Sequence, residues 1–240
     1  MQTPDIHRSD KGVQIRPAAS LLIIRDVGLG LEVLALKRSQ AMRFLPGHLA
    51  FPGGSVDAQD NGYSIMCSQA PKPSPETPED HMYRIAALRE CAEETGMLCA
   101  IKGKDPTGNP KTEGISPDEQ ELLLQGTLSF TQLVEERGCL ALNRLHFIGR
   151  WITPPGMPAR FDTRFYLYGM PEQDANLTVS ISERENEWAR WESPSNLLNL
   201  ISAGTERAMV PTVAMLQTLA SFSSVAECLH QLSLRGAAKS

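Results

Sequence analysis

The stretch Arg89-Glu90-Cys91-Ala92-Glu93-Glu94-Thr95-Gly96-Met97 decides how this chain is read. On a helix, Glu90, Glu93 and Glu94 stand at i, i+3 and i+4, so three carboxylates share one face. Like charges at that spacing repel by roughly 0.2–0.5 kcal/mol per pair, and no Lys or Arg lies between them to offset it. An isolated Glu-x-x-Glu-Glu is ordinarily a solvated acidic face. It is also the pattern that an external cation requires. Oxygen-only donors select hard ions such as Mg²⁺ or Mn²⁺, which commonly bridge to substrate phosphates. The residues upstream decide between the two.

Phe51-Pro52-Gly53-Gly54-Ser55-Val56-Asp57 follows a short apolar segment. Paired glycines permit close backbone approach to a ligand, and their carbonyls can themselves ligate a metal. Alone, Pro-Gly-Gly is a turn. With Arg-Glu-x-x-Glu-Glu-x-Gly downstream it resembles the Nudix box, Gly-x5-Glu-x7-Arg-Glu-x-x-Glu-Glu-x-Gly. The chain is similar to Nudix hydrolases over about residues 19–100, and more loosely over 145–200. That resemblance implies an α/β (α+β) fold, an α/β/α sandwich around a mixed sheet, with a C-terminal helical extension. It also implies Mg²⁺ or Mn²⁺ as cofactor and hydrolysis of a diphosphate linkage.

Two positions depart from the box. Its first Glu is Asp60 here, and the spacer has grown, with residues 61–81 mostly extra. Pro71, Pro73, Pro75 and Pro78 make the centre of that insertion an extended loop. Thr77-Pro78-Glu79-Asp80 predicts a helix start, with Thr77 as N-cap, Pro78 in the first turn and acids near the positive end. Gly96 predicts its end, as the residue past the last turn. Ile85, Leu88 and Ala92 form an apolar stripe, which leaves the glutamates to face a cleft.

With 240 residues and 41% apolar content, a single domain with a full core is expected: a core over about 17–203, the insertion, and a helical tail over about 210–235. A net charge of −5 and the lack of any basic run argue against nucleic acid as a partner. No apolar run is long enough to span a membrane, residues 1–17 lack a secretory core, and the last five residues carry no peroxisomal address. The five cysteines (67, 91, 99, 139 and 228) include no Cys-x-x-Cys. Reduced thiols in a cytoplasmic protein are therefore expected, rather than a disulfide framework or a zinc site.

Elsewhere the pattern is mixed. Residues 19–25 and 31–38 predict two strands of a hairpin through Gly28-Leu29-Gly30. Ser116-Pro117-Asp118-Glu119 is a capping box opening a helix to about 124, and a second helix covers 130–137 and stops at Gly138. Residues 145–152, 161–169 and 188–191 predict strands. Ser193-Pro194 opens a helix to about 201, and 211–221 and 225–234 are helical.

The resemblance assigns Glu90, Glu93 and Glu94 to the metal, helped by the Gly53 or Gly54 carbonyl. Arg89, which cannot lose its proton, is expected to point off the glutamate face; it either orients a catalytic glutamate or forms a structural salt bridge. The general base is a box glutamate or a later carboxylate. Glu183, Glu185 and Glu187 occupy alternate positions of one strand face, or a flexible loop, and Glu185, six residues before Trp191, is the first choice.

Arg38-Ser39-x3-Arg43-x3-Gly47-x3-Phe51-Pro52-Gly53-Gly54 resembles the signature that precedes the box in Nudix coenzyme A diphosphatases. Its usual opening, Leu-Leu-Thr-x-Arg, is here Leu34-Ala35-Leu36-Lys37-Arg38. Asp57-x-x-Asp60 matches the acidic spacing of that subgroup, and Arg43-Phe44-Leu45-Pro46-Gly47 and Arg160-Phe161-Asp162-Thr163-Arg164-Phe165 resemble its peroxisomal branch. Arg38 and Arg43 could grip a diphosphate or a 3′-phosphate; the alternative is two solvated arginines covering apolar surface with their stems.

The implied activity is hydrolysis of coenzyme A or acyl-coenzyme A to 3′,5′-ADP and (acyl-)4′-phosphopantetheine. One alternative is the same chemistry on NADH, ADP-ribose or a nucleotide sugar. Another is a non-catalytic nucleotide-sensing domain, against which the three intact glutamates and the lack of a DNA-binding motif stand. The implied partner is a small nucleotide-like molecule, with neither nucleic acid nor membrane, and a homodimer is carried over from the family.

Overall fold

Residues 18–24 are apolar at every position except Ser20, a pattern that suits a strand covered on both faces. In the computed structural model, which describes residues 13–28, 30–67, 80–104, 108–182 and 184–237, they form the centre of β1 (Ile15–Val27). β1 turns through Gly28 (φ 59) into the antiparallel β2 (Gly30–Arg38), with Val27 opposite Gly30 and Ile24 opposite Val33. On its other side β1 runs parallel to β9 (Arg160–Gly169), and the antiparallel β8 (His146–Ile152) lies at the edge. Beyond β2 come β3 (His48–Ala50) and β11 (Arg207–Ala208). β4 (Gly53–Ser55) pairs with β1, and β10 (Asn186–Glu192) with β2. Parallel β1/β9 and β3/β11 pairings among antiparallel neighbours make the sheet mixed. A smaller sheet orders β6 (Lys111–Gly114), β5 (Met97–Gly103) and β7 (Gly138–Leu140).

Strand alternation sends successive β1 side chains into different cores. Leu21 and Ile23 join Leu34, Tyr166 and Tyr168 under α1 (Asp80–Thr95), whose Ile85, Leu88 and Ala92 are buried as the stripe predicts. Leu22 and Ile24 join Val33, Phe165 and Leu167 on the opposite face. There they meet Leu197 of α4 (Pro194–Ser202), Leu216 and Leu219 of α5 (Val210–Leu219) and Cys228 of α6 (Val225–Ala237). Each fully buried Leu or Ile contributes about 1.5–3 kcal/mol, so both helical layers matter to stability. The helical tail is thus part of the second layer of the sandwich. Gly169 makes room for it, since a Cβ there would meet Val225 Cγ1 at 2.6 Å.

α2 (Pro117–Leu124) starts at its capping box, Ser116 Oγ accepting from Glu119 N, and α3 (Phe130–Arg137) ends at Gly138 as expected. Gly96 takes φ +66 and closes α1, with its N–H on Ala92 O at 3.0 Å. The proposed cap residues Thr77 and Pro78 lie outside the described residues.

The expectation of five reduced cysteines is corrected. Ser64, Ile65 and Met66 follow Asp60 across to β7, where Cys67 N donates to Leu140 O at 3.0 Å and Cys67 is joined to Cys139, with 5.2 Å between their Cα atoms. That separation is ordinary for a disulfide, and spacing along the chain could not reveal a contact made only by folding. Cys91, Cys99 and Cys228 are free and buried. Among the described residues no helix is long and apolar enough to cross a membrane.

Candidate active site

Two close approaches explain the glycine pair. A Cβ at Gly53 would meet Ala19 O at 2.3 Å and Ser20 Cα at 2.7 Å, both backbone atoms of β1. A Cβ at Gly54 would meet Glu90 Oε1 at 2.4 Å. Only glycine lets β4 lie flat on β1 while α1 brings its carboxylates onto it. Gly53 N then donates to Glu94 Oε2 at 2.9 Å, fastening strand to helix.

Arg89 is the organising cation, and it does not point off the glutamate face. Its Nε and one terminal nitrogen grip Asp60 at 2.9 and 3.1 Å. The same nitrogen donates to Ser55 O at 2.9 Å, and the other reaches Glu90 Oε1 and Glu93 Oε2, both at 3.0 Å. A Cβ direction does not fix where so long a side chain ends, and the guanidinium spans neighbouring faces. Asp60 therefore keeps a supporting role despite its shorter side chain, and Asp60 and Arg89 are 1% and 3% exposed. Asp57 N donates to Asp60 Oδ2 at 2.7 Å, which fixes the carboxylate in place.

Glu90, Glu94 and Glu185 line one cleft of about 410 Å³, together with Gly53, Gly54 and Arg38. The rest of its wall is largely apolar and includes Phe44, Trp151, Phe161, Phe165 and Met209. The rings of Phe44 and Phe161 pack 5.5 Å apart. Glu93 stands behind this lining, on Arg89. Burial pushes the Glu90 carboxyl up to about 7; Arg89 pulls it down, while Glu93 and Glu185 push it further up. Burial likewise raises Glu93, and it raises Glu94 well above the usual range, with Glu90 adding to the effect and the Gly53 N–H opposing it.

Three carboxylates that resist ionisation so close together form a donor set suited to a divalent cation, whose charge would reverse those shifts. Among the described residues no three carboxylates already stand in coordinating positions; Glu90 and Glu93 lean on Arg89 instead. The oxygen donors of Glu90 and Glu94, which share the cleft, and the adjacent backbone of Gly54 fit a hard ion.

Glu185 and Glu187 do not share a strand face. Glu185 precedes β10 and enters the cleft, Glu187 is exposed on that strand beside a bulge, and Glu183 lies outside the described residues. Arg38 lines the cleft and its Nε donates to Phe44 O at 3.2 Å, bracing the loop that carries the aromatic wall. Arg43 is exposed and is not part of the lining. Arg164, from the second quoted motif, stacks on Tyr83 and bonds Asp80 at 3.3 Å, away from the lining. Sequence reading missed the aromatic wall. Its signal was present in Arg43-Phe44-Leu45 and Arg160-Phe161, but nothing showed that segments so far apart converge.

The mixed-sheet sandwich, the glycine strand and the carboxylate helix define a Nudix hydrolase. A family profile described as the NUDT19 Nudix domain matches residues 63–212, and the chain belongs to this family. A Caenorhabditis elegans protein whose name places it among the nudix hydrolases is 30% identical over 205 residues, covering 85% of this chain and 60% of its own. The human acyl-coenzyme A diphosphatase NUDT19 is 27% identical over 245 residues, covering 85% of this chain and 64% of its own. The chain thus spans less than two thirds of the length of either relative. The crystal structure of a Nudix hydrolase from Alicyclobacillus acidocaldarius superimposes with a TM-score of 0.76 at 33% identity, covering 89% of this chain and 95% of that one.

The shifted carboxylates give a testable sign. A carboxyl whose folded pKa lies above its unfolded one adds stability that is full below the unfolded value and is lost as pH rises through the folded value. For Glu90 that window runs from the ordinary carboxylate range to about 7. Chelator-treated protein should therefore melt at lower temperature at pH 8 than at pH 5.5, and saturating Mg²⁺ should recover the loss at pH 8. The pH difference should shrink in Glu90→Gln. An unchanged difference in that variant would show that other groups set it.

Proposed function

We propose that this protein is a divalent-metal-dependent diphosphatase that cleaves coenzyme A or its acyl thioesters to 3′,5′-ADP and (acyl-)4′-phosphopantetheine. The observation that carries this reading is a single cleft in which Glu90, Glu94 and Glu185 stand against the Gly53-Gly54 strand, beside an apolar, aromatic wall. The name of the human relative supports the substrate class.

Glu90, Glu93 and Glu94, with the Gly54 carbonyl, would hold Mg²⁺ or Mn²⁺. When bound, the ion neutralises diphosphate charge and lowers the pKa of a water. Arg89 holds Glu90 and Glu93 in place from behind, fixed in turn by Asp60. Glu185 takes the proton of the attacking water; the water oxygen bonds to one phosphorus as the bridging P–O bond breaks. Phe44, Trp151 and Phe161 exclude solvent and offer apolar surface to the pantetheine arm or its acyl group.

Arg38 lines the cleft, which supports a role in gripping a phosphate, whereas Arg43 is exposed and outside the lining. Arg38→Ala should therefore lower kcat/KM for coenzyme A by roughly 10–100-fold, at about 1.5–3 kcal/mol for a charged hydrogen bond. Arg43→Ala should change it less than about threefold, the effect expected of a solvated charge. If Arg38→Ala weakens coenzyme A and dephospho-coenzyme A equally, Arg38 grips the diphosphate rather than the 3′-phosphate. A larger loss in Arg43→Ala than in Arg38→Ala would contradict the placement.

The reading itself is tested by incubating the protein and Mg²⁺ or Mn²⁺ with coenzyme A, acyl-coenzyme A, NADH, ADP-ribose and nucleotide sugars, with products identified by mass spectrometry. Preferential release of 3′,5′-ADP is expected. Preferential cleavage of another compound in the panel would transfer the chemistry to that substrate. No cleavage at all would overturn the enzymatic reading.

A further inference from the structure

Gln120, on α2, lies outside the cleft lining, yet it is only 5% exposed and both protons of its amide nitrogen are engaged. Its Nε2 donates to Glu93 O at 2.9 Å and to Ser180 O at 2.8 Å. The first carbonyl belongs to the carboxylate helix. The second begins the segment that carries Glu185. An amide nitrogen has two protons, and here each serves a different element.

The junction is tightly built. Ser180 N donates to Thr95 O at 2.9 Å, just beyond the glutamates. Gly96 sits so close that a Cβ would meet Ser180 Cβ at 3.1 Å and Gln120 Oε1 at 3.5 Å. From Ser180 the chain reaches Ser182, whose carbonyl accepts from Glu185 N at 3.1 Å and Asn186 N at 3.0 Å. On its far side Glu185 O accepts from Ser39 N at 2.8 Å.

The backbone of Glu185 is therefore held directly by Ser39, on the signature loop, and by Ser182, while its segment is tied to α1 further back, at Ser180. We propose that Gln120 is the positioning residue that sets Glu185 against the metal-holding helix. This rests on the reading of Glu185 as the base. Removing the amide would take this donor from two part-buried carbonyls and free the segment to shift toward water. A displacement of about 1 Å at a reacting group costs on the order of 10²-fold in rate.

The test is a double-mutant cycle with Glu185→Gln, read as kcat, KM and Mn²⁺ affinity. Gln120→Met keeps length and removes both donors. It should lower kcat by roughly 10–100-fold, with KM and Mn²⁺ affinity within about twofold of wild type. In the Glu185→Gln background it should cost almost nothing more. Gln120→Glu, similar in shape and unable to donate when ionised, should show the same epistasis and covers the case in which the Met variant does not fold.

Losses that multiply in the double variant, or weakened Mn²⁺ binding, would mean that Gln120 supports the metal helix or the fold, and would overturn the proposal while leaving Glu185 as base. Wild-type kcat in Gln120→Met would overturn it as well. Wild-type kcat in Glu185→Gln alone would remove the base assignment, and the positioning role would fall with it.

Discussion

Replacing Glu94 by Gln should lower kcat on the order of 10³-fold at saturating Mg²⁺ without unfolding the protein. Glutamine keeps the shape of the side chain and can still accept the Gly53 N–H, so the tie between β4 and α1 survives. What is lost is one negative donor to the ion. Because the metal stabilises several kcal/mol of transition-state charge, and each 1.36 kcal/mol is tenfold in rate, losing about 4 kcal/mol gives the stated factor. Glu90→Gln should behave alike, since Glu90 shares the cleft and presses on Gly54. Stability without metal should be unchanged or raised, because burial already disfavours the ionised Glu94. Wild-type turnover in both variants would remove α1 from metal binding.

The second large effect is on stability. Asp60→Ala should cost about 3 kcal/mol in urea unfolding, the low end for breaking a buried ion pair by removing one partner. Arg89 is almost fully buried, and two of its nitrogens grip Asp60. Without that carboxylate its charge is left to Glu90, Glu93 and the Ser55 carbonyl, which keeps the cost from rising higher. Activity should fall too, as Arg89 is freed to pull Glu90 and Glu93 away from their places. Asp60→Ala combined with Arg89→Leu should recover part of the lost stability at pH 5.5, where no buried guanidinium is left unpaired and Glu90 and Glu93, deprived of their cation, take up protons. A cost below about 0.5 kcal/mol for Asp60→Ala would show the pair to be no more than a surface bridge.

The parts of this molecule legible from sequence were those written locally. Ser116-Pro117-Asp118-Glu119 carries its own cap, Gly96 its own helix stop, and residues 18–24 their own burial. The pairing of Glu90 with Glu94 in the cleft is local as well, because helix periodicity gathers positions i and i+4, whereas Glu93 leans on Arg89 behind them. β3, β4 and β11 were not legible, since two or three residues cannot display an alternation. β5 was missed because Met97–Gly103 begins with an unbroken apolar run directly after a helix, with no pattern of period two.

What depends on distant segments meeting was hidden altogether. The Cys67–Cys139 link, the grip of Arg89 on Asp60 across the insertion and the wall built from Phe44, Trp151 and Phe161 are all of this kind. The resemblance to the family supplied roles for the box residues. It could not say that Arg38 enters the cleft while Arg43 stays outside, because that distinction is made by the loop between β2 and β3.

The central claim is that α1 and the glycine strand hold a divalent ion for diphosphate hydrolysis of a coenzyme A substrate. Its most direct test is the rate of 3′,5′-ADP release from coenzyme A by chelator-stripped protein as Mg²⁺ is titrated back. No turnover is expected without the ion, and a saturable return with it. Turnover independent of the ion, or none at saturating Mg²⁺, would contradict it.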